Sequence, residues 1–324
     1  MPRTIDTVIA GVSAAAFTLA LAISADAEDY PERRITLFVG FEAGGFADSV
    51  ARIIGQHITD KLGQPVVVEN RSGAASNIAA QAVVTAPADG YTVLVSTTSL
   101  AINATLYKKL NYSILDDLIL VAVAVQAPET FTVNPSRPRT MRDFLAASKS
   151  THYTYGSAGV GSGSYLTWFM FFKEVAKVDI AHVPFKGGSP AMQAAIGGQV
   201  DGLAATASSG IVGQATSGAL TCIGVAAATR YAPLPNCPTL AESGFPGFEG
   251  SSWVGFWVRK GTPADLVAVL NKAINSIADD PKAAPMLKQN GELLGLSVQA
   301  ADQFIRREVA TWGSRVQAAN IQIE

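Results

Sequence analysis

Three loops of this chain combine glycines, small residues and hydroxyl side chains with the start of a helix. The first spans 41–48 with Gly44-Gly45-Phe46-Ala47-Asp48, the second spans 157–164 with Ser157, Gly159, Gly161 and Ser162, and the third spans 184–189 with Lys186-Gly187. Glycine permits backbone conformations that other residues avoid, and the first N–H groups of a helix have no partner within it. Such a terminus attracts anions, so these loops are suited to binding a carboxylate.

The position of the loops relative to the strands strengthens this interpretation. Ligands of open α/β sheets bind in the crevice beyond the carboxyl ends of the strands, and each loop follows a strand-like run. A single glycine loop is more simply explained as a turn of the chain. Three of them at one predicted crevice favour a binding site, to which we add Thr97 and Thr98, at the end of the run 91–97.

Motifs for catalysis or metal binding are scarce. The chain has no Gly-x-Ser-x-Gly elbow and no Walker loop, and Ser164 stands where a dinucleotide motif beginning at Gly159 needs its last glycine. His57 and His182 fall in apolar patterns and are predicted to be core residues. We therefore expect no enzyme, no cofactor and no metal site. A secreted hydrolase with a hidden acid–base pair, or a ligand-sensing subunit of a signalling system, remains as an alternative.

Strand-like and helical segments alternate along the chain, which predicts an α/β fold with helices on both faces of its sheets. The strand-like runs are 35–41, 65–69, 91–97, 119–125, 131–134, 153–157, 180–185, 202–206, 221–227 and 253–259. The helical segments are 47–62, 75–85, 140–148, 165–176, 190–197, 264–278 and 301–319. Val50, Ile54 and Ile58 recur at helical spacing, so the first helix must begin at the Gly44-Gly45 loop.

The first 27 residues are interpreted as a secretory signal peptide. Arg3 precedes an apolar run at 8–23, and Ala25-Asp26-Ala27 is a small-residue cleavage site. The alternative is a membrane anchor, but the apolar run is shorter than the ~20 residues that a membrane span needs. Subtracting 27 from 324 leaves 297 residues, which suits two lobes of ~150 residues each. We expect cleavage near Ala27 and an exported mature protein.

Composition narrows the range of partners. A hydrophobic content of 48% suits a globular interior, and a net charge of −2 gives no electrostatic reason to expect a nucleic-acid partner. Cys222 and Cys237 flank a proline-rich loop in a chain predicted to enter an oxidising compartment. Either a disulfide or a buried cysteine with an unrelated loop cysteine is compatible with that spacing.

The two lobes are expected to be joined by extended segments. The run 129–134 is predicted to carry the chain out of the first lobe, and 253–259 to bring it back. This assigns 28–127 and 256–324 to lobe 1 and 128–255 to lobe 2. Two crossing strands form a hinge, which lets lobes close on a ligand between them.

A series of short motifs runs through nearly the whole mature chain. They are Tyr30-Pro31, Arg34-Ile35, Gly44-Gly45, Asp48, Ala51-Arg52, Gly63-Gln64-Pro65, Glu69-Asn70-Arg71, Asp89-Gly90-Tyr91-Thr92, Tyr155-Gly156-Ser157-Ala158-Gly159, His182-Val183-Pro184-Phe185-Lys186-Gly187, Gly198-Gln199-Val200-Asp201, Pro238-Thr239-Leu240-Ala241-Glu242 and Gly261-Thr262-Pro263. Each is weak alone, but their order and spacing resemble the Bug family, the extracytoplasmic receptors of tripartite tricarboxylate transporters.

This resemblance implies a type II-like, two-lobed periplasmic binding protein that closes like a Venus flytrap about two crossing strands. It would capture a small carboxylate and deliver it to transporter subunits in the membrane, and we expect it to be a monomer. The residues carried over are Gly44, Gly45 and Asp48 on the first lobe, Ser157, Gly159, Gly161 and Ser162 on the second, and Lys186 and Gly187 on the next loop.

The chain departs from the family pattern at several positions. Ala43 replaces a usual proline, Ala47 stands where threonine is frequent, and Ala204-Ala205-Thr206 replaces a stretch that often carries Phe-Asp-Asn. Loss of a hydroxyl and an acid should leave fewer polar contacts for the far end of the ligand. The sequence therefore predicts a ligand less polar than an amino acid.

Overall fold

The computed structural model of the protein describes residues 30–323, so the predicted signal peptide lies outside the described residues. The strands are β1 (Ile35–Val39), β2 (Val66–Asn70), β3 (Thr92–Thr97), β4 (Leu118–Val133), β5 (Thr154–Ser157), β6 (Ala181–Pro184), β7 (Gly202–Thr206), β8 (Thr221–Val225), β9 (Ser251–Arg259) and β10 (Glu292–Leu293). The α-helices are α1 (Phe46–Leu62), α2 (Asn77–Val84), α3 (Ser99–Leu106), α4 (Met141–Ala147), α5 (Gly163–Met170), α6 (Gly188–Ile196), α7 (Ser209–Thr216), α8 (Ala264–Asn275), α9 (Ala283–Lys288) and α10 (Val298–Ala318). The predicted α/β alternation is confirmed.

One long strand connects two groups of strands. Strand order is β2-β1-β3-β9-β4-β7-β5-β6, and β8 and β10 also pair with β4. The Leu118–Pro128 part of β4 runs antiparallel to β9, whereas Glu129–Val133 pairs with β7 and β8. We call the part built around β1, β2 and β3 the first lobe and the part built around β5 to β8 the second lobe; β4 and β9 cross between them.

The prediction of two separate strands at 119–125 and 131–134 was wrong, because β4 is one continuous strand across both ranges. Pro128 suggests a break in the sequence, since proline lacks the N–H that a ladder uses. In the structure Pro128 contributes its carbonyl instead, which accepts from Ala207 at 2.9 Å. The strand therefore passes from one lobe to the other at Pro128 without leaving the sheet.

Each lobe buries both faces of its part of the sheet. In the first lobe, α1 and α8 cover one face, and α2, α3 and α10 cover the other. In the second lobe, an aromatic cluster with α4 and α5 packs on one face, while α6 and α7 pack on the other. Burial on both faces explains the apolar strands that the sequence shows.

Two helices near the cleft were not predicted. Helix α3 has Ser99, Leu100, Ala101, Ile102, Asn103 and Leu106 buried, so it lacks the polar face on which helical periodicity depends. Helix α7 is short, and Ile211 is its buried residue. The predicted helix 165–176 is also interrupted, because α5 ends at Met170 and a π-helical turn continues over Phe171–Val175.

Cys222 and Cys237 form a disulfide, which decides between the two alternatives left open by the sequence. The bond links β8 to the proline-rich loop that follows it. Cys237 is buried among the residues that pack with α6 and α7. The cross-link therefore fixes an irregular segment against the second lobe.

Removing this bond with the pair Cys222→Ala and Cys237→Ala should destabilise the protein. The cysteines lie 15 residues apart, and closing a loop of that length contributes about 3 kcal/mol through the unfolded chain. Denaturant unfolding should show a loss of this size, and chemical reduction of the unmodified protein should reproduce it. A loss below ~1 kcal/mol in both measurements would contradict a stabilising role for the bond.

Candidate functional site

A narrow cleft lies between the lobes. First-lobe residues that line it are Phe41, Gly44, Gly45, Phe46, Ala47 and Thr97, and Ser252 lines it from the crossing strand β9. Second-lobe residues are Ala158, Ser162, Gly163, Ser164, Gly188, Ser189, Met192, Ala204, Ala205, Thr206, Ser208, Gly210 and Ile211. The lining combines apolar side chains with backbone and hydroxyl groups, and the N-terminal ends of α1, α5, α6 and α7 all reach it.

The ends of α1 and α6 face each other across this cleft. Both helices begin at a glycine, Gly45 and Gly187, that offers no side-chain cap. A Cβ built on Gly45 would lie 3.7 Å from the amide nitrogen of Gly188 and 3.9 Å from that of Ser189. The first N–H groups of a helix lack partners within it and carry its positive end. Two uncapped ends this close form a pocket suited to an anion.

The ends of α5 and α7 are already capped. Ser162 Oγ accepts from the Tyr165 N–H at 3.2 Å, and Ser208 Oγ accepts from the Ile211 N–H at 3.4 Å. The Ser209 N–H at the start of α7 donates to Asn290 of the first lobe at 3.1 Å. These bonds satisfy part of the donor capacity of α5 and α7. More free donors therefore remain at α1 and α6.

Asp48 orders the first glycine loop. Its carboxylate accepts from the Gly44 N–H at 2.9 Å, from Asn70 at 2.8 Å and from both Nε and Nη2 of Arg52. Burial tends to raise the pKa of Asp48, but the hydrogen bonds from Arg52, Gly44 and Asn70 outweigh it and lower that pKa. Asp48 is thus ionised and engaged within the first lobe.

The structure distributes the residues predicted for the site among three places. Gly44, Gly45, Phe46, Ala47, Thr97 and Ser162 line the cleft. Gly159, Gly161 and Lys186 border a neighbouring cavity on the same side of the lobe interface. Asp48, Thr98, Ser157 and Gly187 line neither of these two spaces.

Thr98 and Ser157 lie outside the cleft and hold neighbouring loops in place. Thr98 Oγ1 accepts from the Trp253 N–H at 3.1 Å, which ties α3 to β9. Ser157 Oγ accepts from the Gly159 N–H and contacts His182 Nε2 at 2.7 Å. Burial lowers the pKa of His182 to about 4, so its ring is neutral. A serine and histidine in contact can form a nucleophilic pair, but the Ser157 side chain is fully buried outside the cleft.

The sequence did not identify several residues that line the cleft. Met192, Ser208, Gly210, Ile211 and Ser252 come from segments that no motif marked. Ser208-Ser209 directly after β7 carried a usable signal, because serine is a favoured N-cap residue after a strand. Ser252 carried none, since its place depends on the pairing of β9 with β4.

Glu129 lies directly behind the cleft wall and is fully buried. Its Oε1 accepts from Ser252 at 2.7 Å and from Thr206 at 3.2 Å, and both of these residues line the cleft. Burial raises the pKa of Glu129 from 4.5 to about 7, and the two hydroxyl bonds only partly offset that rise. A group that titrates near neutral pH therefore lies where β4 passes between the lobes.

Residues 50–321 match the model of the tripartite tricarboxylate transporter family receptor. The chain belongs to this family. The receptor is 29% identical to the protein BugT of Bordetella pertussis over 95% of each chain. Its fold matches an R. palustris protein with adipate, at a TM-score of 0.86 and 30% identity, covering 91% of this chain and 99% of the other. It also matches MatC of Rhodopseudomonas palustris with bound malate, at a TM-score of 0.83 and 31% identity, covering 89% of this chain and 100% of the other.

These comparisons confirm the Bug resemblance and the two-lobed binding-protein fold. Members of this family are substrate-binding receptors rather than enzymes, which confirms the expectation that the protein is no hydrolase. Within residues 30–323, no helix is long and apolar enough to cross a membrane. The same part of the chain contains no group of three or more His, Cys, Asp or Glu side chains placed to hold a metal ion.

The raised pKa of Glu129 predicts a pH-dependent loss of stability. Because the folded receptor holds this proton more tightly than the unfolded chain, the free energy of unfolding should fall as the pH rises from 4.5 through 7. At 1.36 kcal/mol per pKa unit, the fall between pH 5 and 8 should be about 2–3 kcal/mol. Glu129→Gln should remove it.

The comparison with Glu129→Gln is needed because the titration of His182 changes the free energy of unfolding in the opposite direction as the pH rises. Its pKa, lowered from 6.5 to about 4, makes stability rise with pH across that range. Denaturant unfolding of both proteins at pH 5, 6.5 and 8 isolates the Glu129 contribution as the difference between the two curves. Parallel curves would show that Glu129 has the same pKa in the folded and unfolded states.

Proposed function

We propose that the protein is a periplasmic receptor that captures a small carboxylate between its lobes and delivers it to a membrane transporter of the tripartite tricarboxylate type. The observation that carries this proposal is the pair of uncapped ends of α1 and α6, which face each other across the cleft. Family membership and the malate and adipate named for similar structures support it.

In this proposal the ligand carboxylate docks on Gly44, Gly45, Phe46 and Ala47 and is covered by Gly188 and Ser189. Backbone N–H groups can satisfy a carboxylate without an arginine, directly or through ordered water. Thr97 and Ser162 line the same space. The other predicted site residues act indirectly, through the loops that surround the ligand. They are Asp48, Thr98, Ser157, Gly159, Gly161, Lys186 and Gly187. Apolar Met192 and Ala205 suit a ligand less polar than an amino acid.

The proposed cycle depends on hinge motion about β4 and β9, with lobe 1 comprising 28–127 and 256–324 and lobe 2 comprising 128–255. In this proposal the contacts across the interface belong to the closed arrangement. The Glu42 N–H donates to the Lys186 carbonyl at 3.4 Å, and Gly187 lies against Glu42. Closure brings α6 over the ligand, and the added contacts supply the free energy that shifts the receptor toward the closed state. The transporter would recognise that state.

The remaining steps concern where the protein works. We propose export through the signal peptide, cleavage near Ala27 and action in the periplasm as a monomer. A disulfide within the second lobe is compatible with an oxidising compartment. Uptake assays with cells that lack and then regain the gene would test delivery to the transporter.

Gly45→Val should abolish carboxylate binding and leave the fold intact. Gly45 has φ −87°, a value open to any residue, so the substitution adds no backbone strain. The side chain would fill the space beside the N–H groups of Gly188 and Ser189. We expect a thermal-shift screen of mono-, di- and tricarboxylates to stabilise the unmodified protein by mass action and to leave the variant unchanged.

The matched control is Gly213→Val on α7, where a Cβ meets no atom within 4 Å. This control should respond to ligands as the unmodified protein does. Calorimetric affinity retained in a folded Gly45→Val variant would overturn the proposed docking site. No response of the unmodified protein to any carboxylate would overturn the proposed function.

Gly161→Ala should weaken binding by obstructing closure. A Cβ on Gly161 would lie 2.5 Å from Asn103 Oδ1 and 2.7 Å from Ala75 Cβ, which both belong to the first lobe. Overpacking of this kind costs about 1–3 kcal/mol, so the Kd should rise about 10- to 100-fold. Small-angle scattering should show a smaller contraction on ligand addition than in the unmodified protein. Equal contraction and equal Kd would contradict this role of Gly161.

A further inference from the structure

The side wall of the cleft contains two hydroxyls whose direction of donation is fixed from behind. Ser252 on β9 and Thr206 on β7 both donate to the same oxygen of Glu129, at 2.7 and 3.2 Å. A hydroxyl has one donor and two acceptor positions. With the proton of each hydroxyl directed at Glu129, both groups can offer only lone pairs to the cleft.

Glu129 lies close enough to the cleft for its charge to act on a ligand. A Cβ placed on Gly163, which lines the cleft at the start of α5, would lie 3.2 Å from Glu129 Oε1 and 2.2 Å from Ser252 Oγ. The wall at this point is therefore one residue thick. The second oxygen, Oε2, has no hydrogen-bond partner, and the side chain is fully buried.

We propose that Glu129 is a specificity-determining residue that makes this end of the cleft select carboxylates with an uncharged hydrogen-bond donor, as in a hydroxycarboxylate, over those with a second ionised carboxylate. This inference rests on the proposed function and names the ligand class for the same site. A ligand hydroxyl would donate to Ser252 or Thr206. A second carboxylate would meet lone pairs and a buried negative charge, which repels it.

The charge of Glu129 gives this selection a dependence on pH. The groups that face its carboxyl are uncharged: the Ser252 hydroxyl on β9, the Thr206 hydroxyl on β7 and the backbone of Gly163 on α5. Protonation of Glu129 removes the repulsion of a second carboxylate, while Oε1 still accepts from both hydroxyls. Discrimination against dicarboxylates should therefore weaken as the pH falls through 7, and the preference for a hydroxyl should remain.

The test is calorimetry with sets of probes matched in length. One set is 4-hydroxybutanoate, succinate and butanoate, a second is 6-hydroxyhexanoate, adipate and hexanoate, and a third is 4-hydroxybenzoate, terephthalate and benzoate. At pH 8, in the set that binds most tightly, the hydroxy acid should bind about tenfold more tightly than the dicarboxylate and more tightly than the unsubstituted acid. At pH 6 the affinity of the dicarboxylate should rise until most of its tenfold disadvantage relative to the hydroxy acid is gone.

Two variants separate the charge of Glu129 from the lone pairs of the wall. Glu129→Gln removes the charge and should raise dicarboxylate affinity about tenfold at pH 8, with no further change at pH 6. Ser252→Ala removes an acceptor and should lower the affinity of the hydroxy acid toward that of the unsubstituted acid. Glu308→Gln is the control, because Glu308 accepts from Trp253 and Trp312 in the first lobe, away from the cleft.

The outcomes distinguish this inference from the proposed function. Binding of carboxylates with the dicarboxylate equal to or tighter than the hydroxy acid at pH 8 would overturn the role of Glu129 and leave the receptor function standing. Equal shifts in Glu129→Gln and Glu308→Gln would also overturn it. If Glu129→Gln does not fold, Ser252→Ala and the pH dependence of the unmodified protein decide. Absence of binding by every probe would overturn both proposals.

Discussion

The architecture of the site depends on the electrostatics of helix ends. Strands β1, β5, β6 and β7 all lead into loops at the lobe interface, and each loop begins a helix whose N-terminus reaches the cleft. Each terminus contributes N–H groups and a partial positive charge, so their convergence makes a space that favours a negative group. Among residues 30–323, those that line this space include no Lys or Arg. Glycine caps on α1 and α6 leave these donors free, whereas serine caps occupy part of those on α5 and α7. The choice of cap residue therefore decides which pair of helices keeps more free N–H donors at the cleft.

Strand β4 connects this site mechanically to the rest of the molecule. It is a single strand of 16 residues, and its pairing changes from β9 to β7 and β8 at Pro128 and Glu129. The residue at that change is a buried acid that bonds two hydroxyls of the cleft wall. The strand passes from one lobe to the other at this position, and the same residue sets which hydroxyl protons the wall can offer. A carboxyl at this point is costly to bury, and only one of its two oxygens has hydrogen-bond partners.

Glycine and serine loops serve two purposes in this receptor, and the structure separates them. Gly44 and Gly45 lie at the cleft, while Asp48, Ser157 and Thr98 bond to backbone groups that keep the loops in position. A fixed loop matters for binding because donors already in place cost less entropy to organise when the ligand arrives. Gly161 lies so close to Asn103 and Ala75 of the first lobe that a side chain at this position would collide with them. A glycine here therefore lets the two lobes come into contact.

The sequence by itself determined the α/β alternation, the start of α1 at the Gly44-Gly45 loop, the family and a carboxylate as the expected ligand, because helical periodicity, glycine loops and motif order are local properties of the chain. The predicted helices at 165 and 190 begin two residues earlier in the structure, at Gly163 and Gly188. Tertiary structure decided what local patterns leave open. Helix α3 was not predicted because it has no polar face, and the continuity of β4 through Pro128 depends on its pairing with strands of both lobes. Ser252 and Thr206 meet Glu129 behind the cleft wall only through the pairing of β9 and β7 with β4, across 123 and 77 residues of sequence. Contacts over such separations depend on the packing of the whole fold, so they cannot be predicted from any short segment of sequence.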